Sequence, residues 1–172
     1  MVRRVADVMV GLAQEILVSV ASAEMGAALR PVLPEAGFAV DRRDGQGPIE
    51  GFRCGFEASH GDRVLVAPCD APLLRADLYR LLIDALGERE AAVPRFDVID
   101  PVRAVYRRTA VLKVLGGDVE VASPSGLVDR LDAVFVDSPR LRLADPDLSS
   151  FLDVNREEDL EDVLRKISAA RA

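Results

Sequence analysis

The sequence predicts a doubly wound α/β fold with a mostly parallel central sheet. Short β-branched segments alternate along the chain with amphipathic helical segments, which is typical of a parallel sheet covered on both faces. The 172 residues contain no internal repeat, linker or low-complexity segment, and 49% of them are apolar. That is enough for one domain over residues 1–172 with a sizeable core.

The individual elements follow from hydrophobic spacing and turn residues. Apolar positions three and four apart predict helices at 2–12, 26–33, 48–60, 77–86, 109–115, 125–131 and 155–167. Runs of β-branched residues bounded by turn residues predict strands at 15–22, 37–42, 63–68, 90–96, 102–108 and 133–137. Thr109 and Asn155 are expected to cap the helices that they precede.

Charge and composition exclude several functions. A net charge of −7 and a pI near 4.8 argue against a nucleic-acid surface. No apolar run reaches the roughly 20 residues that span a membrane, and there is no signal peptide, so a cytoplasmic location is expected. Cys54 and Cys69 are too few for a disulfide framework and are expected to be reduced, with Cys69 a packing residue. His60 is expected at the surface.

One strand ends in a residue that suggests chemistry. In VLVAPCDAPLL, residues 64–74, an apolar strand runs into Asp70 between Pro68 and Pro72. Open α/β sheets bind ligands beyond the carboxyl ends of their strands, and Mg²⁺ is usually held by one or two carboxylates plus phosphates and water. Asp70 is therefore a candidate catalytic residue and metal ligand. An Asx turn or helix cap is the alternative.

A glycine-rich segment precedes the third predicted helix. In GQGPIEG, residues 45–51, glycines allow close backbone approach, and the start of the helix offers unpaired N–H groups to a phosphate or a base. Gly47, Pro48 and Gly51 are therefore candidates for nucleotide binding. A simple turn is the alternative.

A second acidic segment precedes the last predicted helix. FLDVNREEDL, residues 151–160, places Asp153 and Asn155 one residue apart, and so on the same side of an extended chain. Asp153 is a candidate second oxygen ligand for the metal. The other acids of this segment are expected to form a solvated face.

Four segments together resemble the molybdenum cofactor guanylyltransferases. They are GPIEGFRCGFEAS, DRVLVAPCDAPLL, AAVPRF with PVRAVYRR, and FLDVNREEDL, in this order. The resemblance implies a three-layer, Rossmann-like fold similar to that of nucleotide-diphospho-sugar transferases. It also implies Mg²⁺-dependent transfer of GMP from GTP onto the phosphate of molybdopterin, with release of pyrophosphate.

The resemblance also implies roles for individual residues. Asp70 matches the metal-binding aspartate of the family. Three residues match the lining of the nucleotide pocket: Gly47, Pro48 and Gly51. Asn155 matches the second asparagine of an N-x-N motif near the acceptor, and Asp153 stands in place of the first. Both are therefore candidate acceptor-binding residues.

The beginning of the sequence departs from the family. Family members start with a strand and a glycine-rich loop, broadly LAGGxSxRMGxDK, which wraps the triphosphate. This sequence opens at the helix that follows the loop, and neither Lys113 nor Lys166 is placed to replace its lysine. Without the first strand the sheet is expected to have a gap or an exposed edge. A misplaced start codon, a loop from a partner and a degenerate homologue are competing explanations.

Two other functions remain open. Asp153 in place of asparagine favours a related nucleotidyltransferase with another acceptor or base, such as a guanylyltransferase acting on phospholactate or cobinamide phosphate, or a cytidylyltransferase. The absent loop favours a non-catalytic nucleotide-binding or adaptor protein. Such a protein could form a homo-oligomer through an incomplete sheet edge.

Overall fold

A computed structural model describes residues 1–43 and 47–169. Within these ranges the helices are α1 Val2–Val10, α2 Ala23–Leu29, α3 Pro48–Ala58, α4 Ala76–Leu86, α5 Arg108–Leu115, α6 Pro124–Val128, α7 Ser138–Ala144 and α8 Glu157–Ala169. The strands are β1 Leu17–Val20, β2 Gly37–Val40, β3 Arg63–Val66, β4 Ala91–Arg95, β5 Ala104–Arg107 and β6 Ala133–Asp137. A 3₁₀ turn covers Ser149–Phe151. None of the described helices has the length and apolar character of a membrane-spanning segment.

The described strands form two sheets. β1 and β2 pair in parallel, with Leu17 opposite Gly37. The other four strands lie in the order β3-β5-β4-β6. In this sheet β3, β4 and β6 run in one direction, and β5 runs against them between β3 and β4. The predicted α/β class is confirmed, and within the described residues its sheet is divided into two parts.

Alternate residues of the four-stranded sheet face two different layers of helices. On β4, Ala91 and Val93 pack against α3, α5 and α6, whereas Ala92 packs against α1, α4 and α7. On β5, Tyr106 faces the first layer and Val105 the second. This alternation follows from the two-residue period of a strand, and it produces the predicted three layers.

α1 and α3 connect the two sheets. The rings of Phe52 and Phe56 in α3 meet the edge of Tyr106 in β5, at centroid distances of 6.0 and 5.8 Å. Each such pair contributes about 0.5–1.5 kcal/mol beyond the area it buries. On β1, the Ser19 hydroxyl donates to the Gly51 carbonyl of α3 at 2.8 Å. α1 contributes side chains to the cores beside both sheets.

One edge of the larger sheet collects the loops that carry the candidate residues. β3 and β4 end at this edge with Val66 and Arg95. Because β5 runs in the opposite direction, it begins there with Ala104. The loop with Asp70 and the β4–β5 connection therefore emerge side by side.

Two features of the helices differ from prediction. Thr109 was expected to cap α5, but it lies inside that helix, because α5 begins at Arg108 directly after the strand residue Arg107. α7 was not predicted at all. It begins where the Asp137 side chain accepts a hydrogen bond from the Arg140 amide, and only seven residues follow before it ends.

Candidate active site

Asp70 lies past the carboxyl end of β3, and its backbone is held from two sides. Its carbonyl accepts a hydrogen bond from the Val154 amide at 2.9 Å. Two residues further on, the Pro72 carbonyl accepts one from Nε of Arg4 at 3.1 Å. The half-buried Asp70 carboxylate accepts no hydrogen bond from the described residues, so it forms neither an Asx turn nor a helix cap with them. It is available to a ligand.

Asp153 lies beside Asp70, at the other side of the Val154 contact. Its side chain is 35% exposed and pairs with the guanidinium of Arg103. Burial raises the pKa of the Asp153 carboxyl, Arg103 opposes this change, and the neighbouring Asp70 carboxylate adds to it. The structure therefore brings together the two carboxylates that were predicted from the sequence to bind a metal.

Arg103 connects the Asp153 segment to the sheet. Its Nη1 donates to Oδ2 of Asp100 at 2.7 Å, and its Nε donates to the Ser150 carbonyl at 2.8 Å. Nη2 donates to Oδ1 of Asp153. The guanidinium also lies over the ring of Phe151, 5.5 Å from its centroid. One buried side chain thus contacts three residues of the segment that carries Asp153.

A buried carboxylate fixes the start of the same segment. Asp145 is 0% exposed, and its oxygens accept hydrogen bonds from the Ser149 hydroxyl at 3.1 Å and the Ser150 amide at 2.7 Å. The Ser150 hydroxyl in turn accepts one from the Arg75 amide at 3.0 Å. Leu148 adopts a left-handed conformation with φ of 53°. Such a conformation is costly for leucine, and the surrounding hydrogen bonds hold it.

The glycine segment forms the start of α3. Gly47 has φ of 66° and ψ of −160°, a combination that is almost restricted to glycine, and Pro48 occupies the first turn. A Cβ atom at Gly51 would lie 3.4 Å from Cβ of Ser19, so this glycine allows β1 to approach closely. Residues 44–46, which include Gly45 of the predicted loop, lie outside the described residues.

α3 also borders a polar cavity of about 360 Å³. It is lined by Arg43, by residues of α3 and by residues of the loop after α5, among them Ile49, Glu50, Arg53, Asp118 and Glu120. Glu50 is 3% exposed and accepts a hydrogen bond from the Arg42 amide. The cavity includes neither Gly47 nor Asp70. In the part of the chain that the structure describes, no hydrogen bond or ion pair joins the glycine segment to Asp70 or Asp153.

Comparison with known proteins identifies the family. The model of the MobA-like NTP transferase domain matches residues 1–133. A probable molybdenum cofactor guanylyltransferase from Methanosarcina acetivorans is 30% identical over 165 residues, which cover 89% of this chain and 72% of that protein. This chain belongs to the MobA-like NTP transferases. A molybdenum cofactor guanylyltransferase from Desulfosudis oleivorans is 27% identical over 137 residues, covering 77% of this chain and 67% of that protein.

Solved structures of other proteins share the fold of this MobA-like NTP transferase. Molybdopterin-guanine dinucleotide biosynthesis protein A from Archaeoglobus fulgidus superposes with a TM-score of 0.72 at 24% identity, covering 89% of this chain and 78% of that one. The 2-C-methyl-D-erythritol 4-phosphate cytidylyltransferase from Thermus thermophilus gives 0.66 at 17% identity, covering 98% and 88%. At these identities the comparison supports the predicted Rossmann-like α/β fold.

In this MobA-like NTP transferase the pair of Asp70 and Asp153 fits a divalent metal ion. The Asp70 carboxylate is without a hydrogen bond from the described residues, and the partly buried Asp153 carboxylate is close enough to be affected by its charge. No group of three or more His, Cys, Asp or Glu residues that could hold a metal occurs in the described ranges. A metal held by this pair would complete its coordination with nucleotide phosphates and water, as Mg²⁺ commonly does.

Three other predicted residues have outcomes in the structure. Asn155 was expected to cap α8, but that helix begins two residues later, at Glu157. The backbone amide of Asn155 donates a hydrogen bond to the Asp159 carboxylate at 3.0 Å. The same carboxylate accepts a hydrogen bond from the Arg156 amide, so Asp159 caps the start of α8. His60 is exposed, as predicted, and contacts Glu15 at 2.8 Å. Cys69 was expected to pack in the core but is exposed, since it lies in the loop beyond β3.

Sequence analysis missed Arg103 and Asp145. Arg103 lies in PVRAVYRR, one residue before β5, where an arginine gives no sign of being buried. Asp145 lies in a stretch for which no element was predicted. Arg103 and Asp145 are 42 positions apart, and nothing in the sequence pattern indicates that they lie near each other. The fold brings both to the turn at Ser150.

Proposed function

We propose that this MobA-like NTP transferase transfers GMP from GTP to the phosphate of molybdopterin in a Mg²⁺-dependent reaction. The observation that supports the proposal is that Asp70 and Asp153 come from two loops joined at the same edge of the sheet. The names of the relatives, which are molybdenum cofactor guanylyltransferases, support GTP and molybdopterin as substrates.

The proposed reaction needs no nucleophile from the protein. An oxygen of the molybdopterin phosphate attacks the α-phosphorus of GTP and forms a new P–O bond. The bond between the α-phosphorus and the oxygen that bridges to the β-phosphorus breaks, and pyrophosphate leaves with the electron pair. Catalysis of this step depends on positioning and on neutralising the charge of the phosphates.

The two carboxylates take the metal-binding role in this proposal. Asp70 and Asp153 would hold Mg²⁺, which when bound orients the phosphates and offsets their negative charge. The Arg4 guanidinium, held beside the Asp70 loop by the Pro72 carbonyl, would offer the triphosphate a cation from α1. A net charge of −7 makes such local cations necessary for binding an anionic substrate.

The remaining candidate residues would bind the nucleoside and the acceptor. Gly47 and Pro48 form the start of α3. N–H groups in the first turn of a helix, to which the proline contributes none, suit a base carbonyl or a phosphate. Asn155 is exposed next to Asp153, so both can face the acceptor. Its side chain is not used by the cap of α8, because Asp159 makes those contacts.

Pyrophosphate release tests the proposal. The assay contains purified protein, Mg²⁺ and molybdopterin, and compares GTP with CTP and ATP on this chain and on the product of the full reading frame that encodes it. The proposal predicts release that requires both Mg²⁺ and molybdopterin and that is fastest with GTP. Release with CTP or ATP but not GTP contradicts the proposed nucleotide, and release with another phosphorylated acceptor alone contradicts molybdopterin.

A further inference from the structure

Arg103 is a buried cation at the candidate site. The residue is 3% exposed and immediately precedes β5. An arginine is rarely buried to this extent unless its charge and its donors are satisfied. Its position at the sheet edge therefore depends on the groups that surround it.

The partners of Arg103 come from two separate segments. Asp100 belongs to the β4–β5 connection and accepts from Nη1 at 2.7 Å. Ser150, Phe151 and Asp153 belong to the segment before α8, and they supply a carbonyl, a ring face and a carboxylate. The planar guanidinium donates to these three oxygens from three separate nitrogens, a spread of donors that the single nitrogen of a lysine does not provide.

This arrangement determines which oxygen of Asp153 can meet a ligand. Oδ1 accepts from Nη2 of Arg103, while Oδ2 has no hydrogen bond from the described residues. The side chain is 35% exposed, so it extends from the buried arginine toward the surface beside Asp70. Fixing one oxygen fixes the direction of the other.

Arg103 is also the cation that pairs with the Asp153 carboxylate, on which the carboxylates of Asp70 and Asp100 act with like charge. Loss of the arginine would leave the negative charge of Asp153 less compensated where the nucleotide phosphates must approach.

We propose that Arg103 is a positioning residue, which holds Asp153 in the orientation that binds the divalent ion of the metal–nucleotide complex. This role rests on the proposed function. It gives the carboxylate at position 153 a second role, as an anionic partner of the buried guanidinium beside Asp100. Arg103 itself acts through Asp153 and does not contact the substrate.

The test compares two variants that each weaken the hydrogen bonds at position 103. Arg103→Lys keeps the charge but lacks the planar donors that hold Asp153. Asp100→Asn weakens the other carboxylate contact of Arg103 and leaves the Asp153 contact in place. The melting temperature of each variant is measured first, so that metal binding is compared at a known loss of stability. Arg103→Gln replaces the lysine variant if that protein does not fold.

Binding of Mn²⁺ in the presence of GTP is then measured by the loss of the free-ion electron paramagnetic resonance signal. We expect the half-saturating Mn²⁺ concentration to rise about 10- to 100-fold in Arg103→Lys, the usual effect of removing a residue that orients a metal ligand. Asp100→Asn should stay within about threefold of wild type. A difference in Mn²⁺ affinity between the two variants distinguishes a positioning role of Arg103 from a general destabilisation of the site.

Two results overturn the role of Arg103. One is an Arg103→Lys affinity within threefold of wild type, and the other is an equal loss in both variants. A wild-type protein that binds no Mn²⁺ in the presence of GTP contradicts the proposed function itself. The wild-type titration therefore distinguishes the failure of the function from the failure of this inference.

Discussion

The carbonyl of Asp70 accepts a hydrogen bond from the amide of Val154 at 2.9 Å. This one contact joins the loop after β3 to the segment before α8, two parts of the chain that are 84 residues apart. It places the Asp153 carboxylate beside that of Asp70. The candidate metal site therefore depends on long-range packing and not on either segment alone.

Substitution of Asp153 tests its role as a metal ligand. We expect Asp153→Asn to weaken Mg²⁺-dependent GTP binding by roughly 10- to 100-fold, because an amide oxygen is a poorer ligand than a carboxylate. The fold should survive, because asparagine still accepts a hydrogen bond from Arg103, at a cost of about 1 kcal/mol. Titration of Mg²⁺ at fixed GTP measures the change.

Asp159 provides the matched control for that experiment. It lies in the same segment, and its carboxylate caps the start of α8 by accepting the amides of Asn155 and Arg156. Asp159→Asn removes the same charge but should leave the Mg²⁺ dependence unchanged. Equal weakening by both substitutions would mean that the segment's net charge, and not Asp153 as a ligand, controls metal binding.

The backbone at Gly47 should be necessary for nucleotide binding. Among the described residues, no atom beyond its chain neighbours lies within 4 Å of a Cβ placed there, so Gly47→Ala causes only backbone strain, about 1–3 kcal/mol at its φ of 66°. The strain displaces the first N–H groups of α3. We expect GTP affinity, measured by calorimetry, to fall about tenfold or more.

Gly87 serves as the control because it has the same two properties. Its φ is 47°, its Cβ position is equally open, and it lies at the end of α4. Gly87→Ala should lower the unfolding free energy by a similar amount and leave GTP affinity intact. If Gly47→Ala binds GTP as well as Gly87→Ala does, the start of α3 is not part of the nucleotide site.

Two buried tyrosine hydroxyls should make the free energy of unfolding fall at alkaline pH. Tyr79 donates to the Val66 carbonyl and Tyr106 to the Pro101 carbonyl, both at 2.7 Å. Burial raises the pKa of each tyrosine above its ordinary value, so the folded state resists ionisation. The stability is fully present below about pH 10, the unfolded value, and is lost as the pH rises above it.

The expected slope is roughly 1.4 kcal/mol of unfolding free energy per pH unit for each tyrosine above pH 10. The chain has two tyrosines and no tryptophan, so absorbance at 295 nm reports these residues alone. Tyrosinate should form only as the protein unfolds, and Tyr79→Phe should halve the tyrosine contribution to the slope. Titration of both tyrosines near pH 10 in protein that remains folded would show that the hydroxyls are accessible.

The sequence predicts local elements well where one physical signal determines them. β3 and α4 were predicted within two residues, because an apolar β-branched run and a leucine face leave few alternatives. α7 was missed, since its seven residues, SPRLRLA, have too few apolar positions to show a helical period. The boundary of α8 depends on Asp159, whose cap contacts reach back along the chain.

The candidate site was predictable only in part. Asp70 was recognised because a polar residue abruptly ends an apolar strand, and Asp153 because it precedes a helix in a matching motif. Arg103 and Asp145 support that site from buried positions, where tertiary contacts alone explain their charge. The division of the described strands into two sheets also depends on pairing, which the sequence pattern does not specify.

The central claim is that Asp70 binds a divalent ion for a nucleoside triphosphate. Isothermal titration of GTP into wild-type protein and into Asp70→Asn, each with and without Mg²⁺, tests it most directly. We predict Mg²⁺-dependent GTP binding in the wild type and its loss in Asp70→Asn, with both proteins folded. Equal GTP affinity in the two proteins, or wild-type binding that is indifferent to Mg²⁺, would contradict the claim.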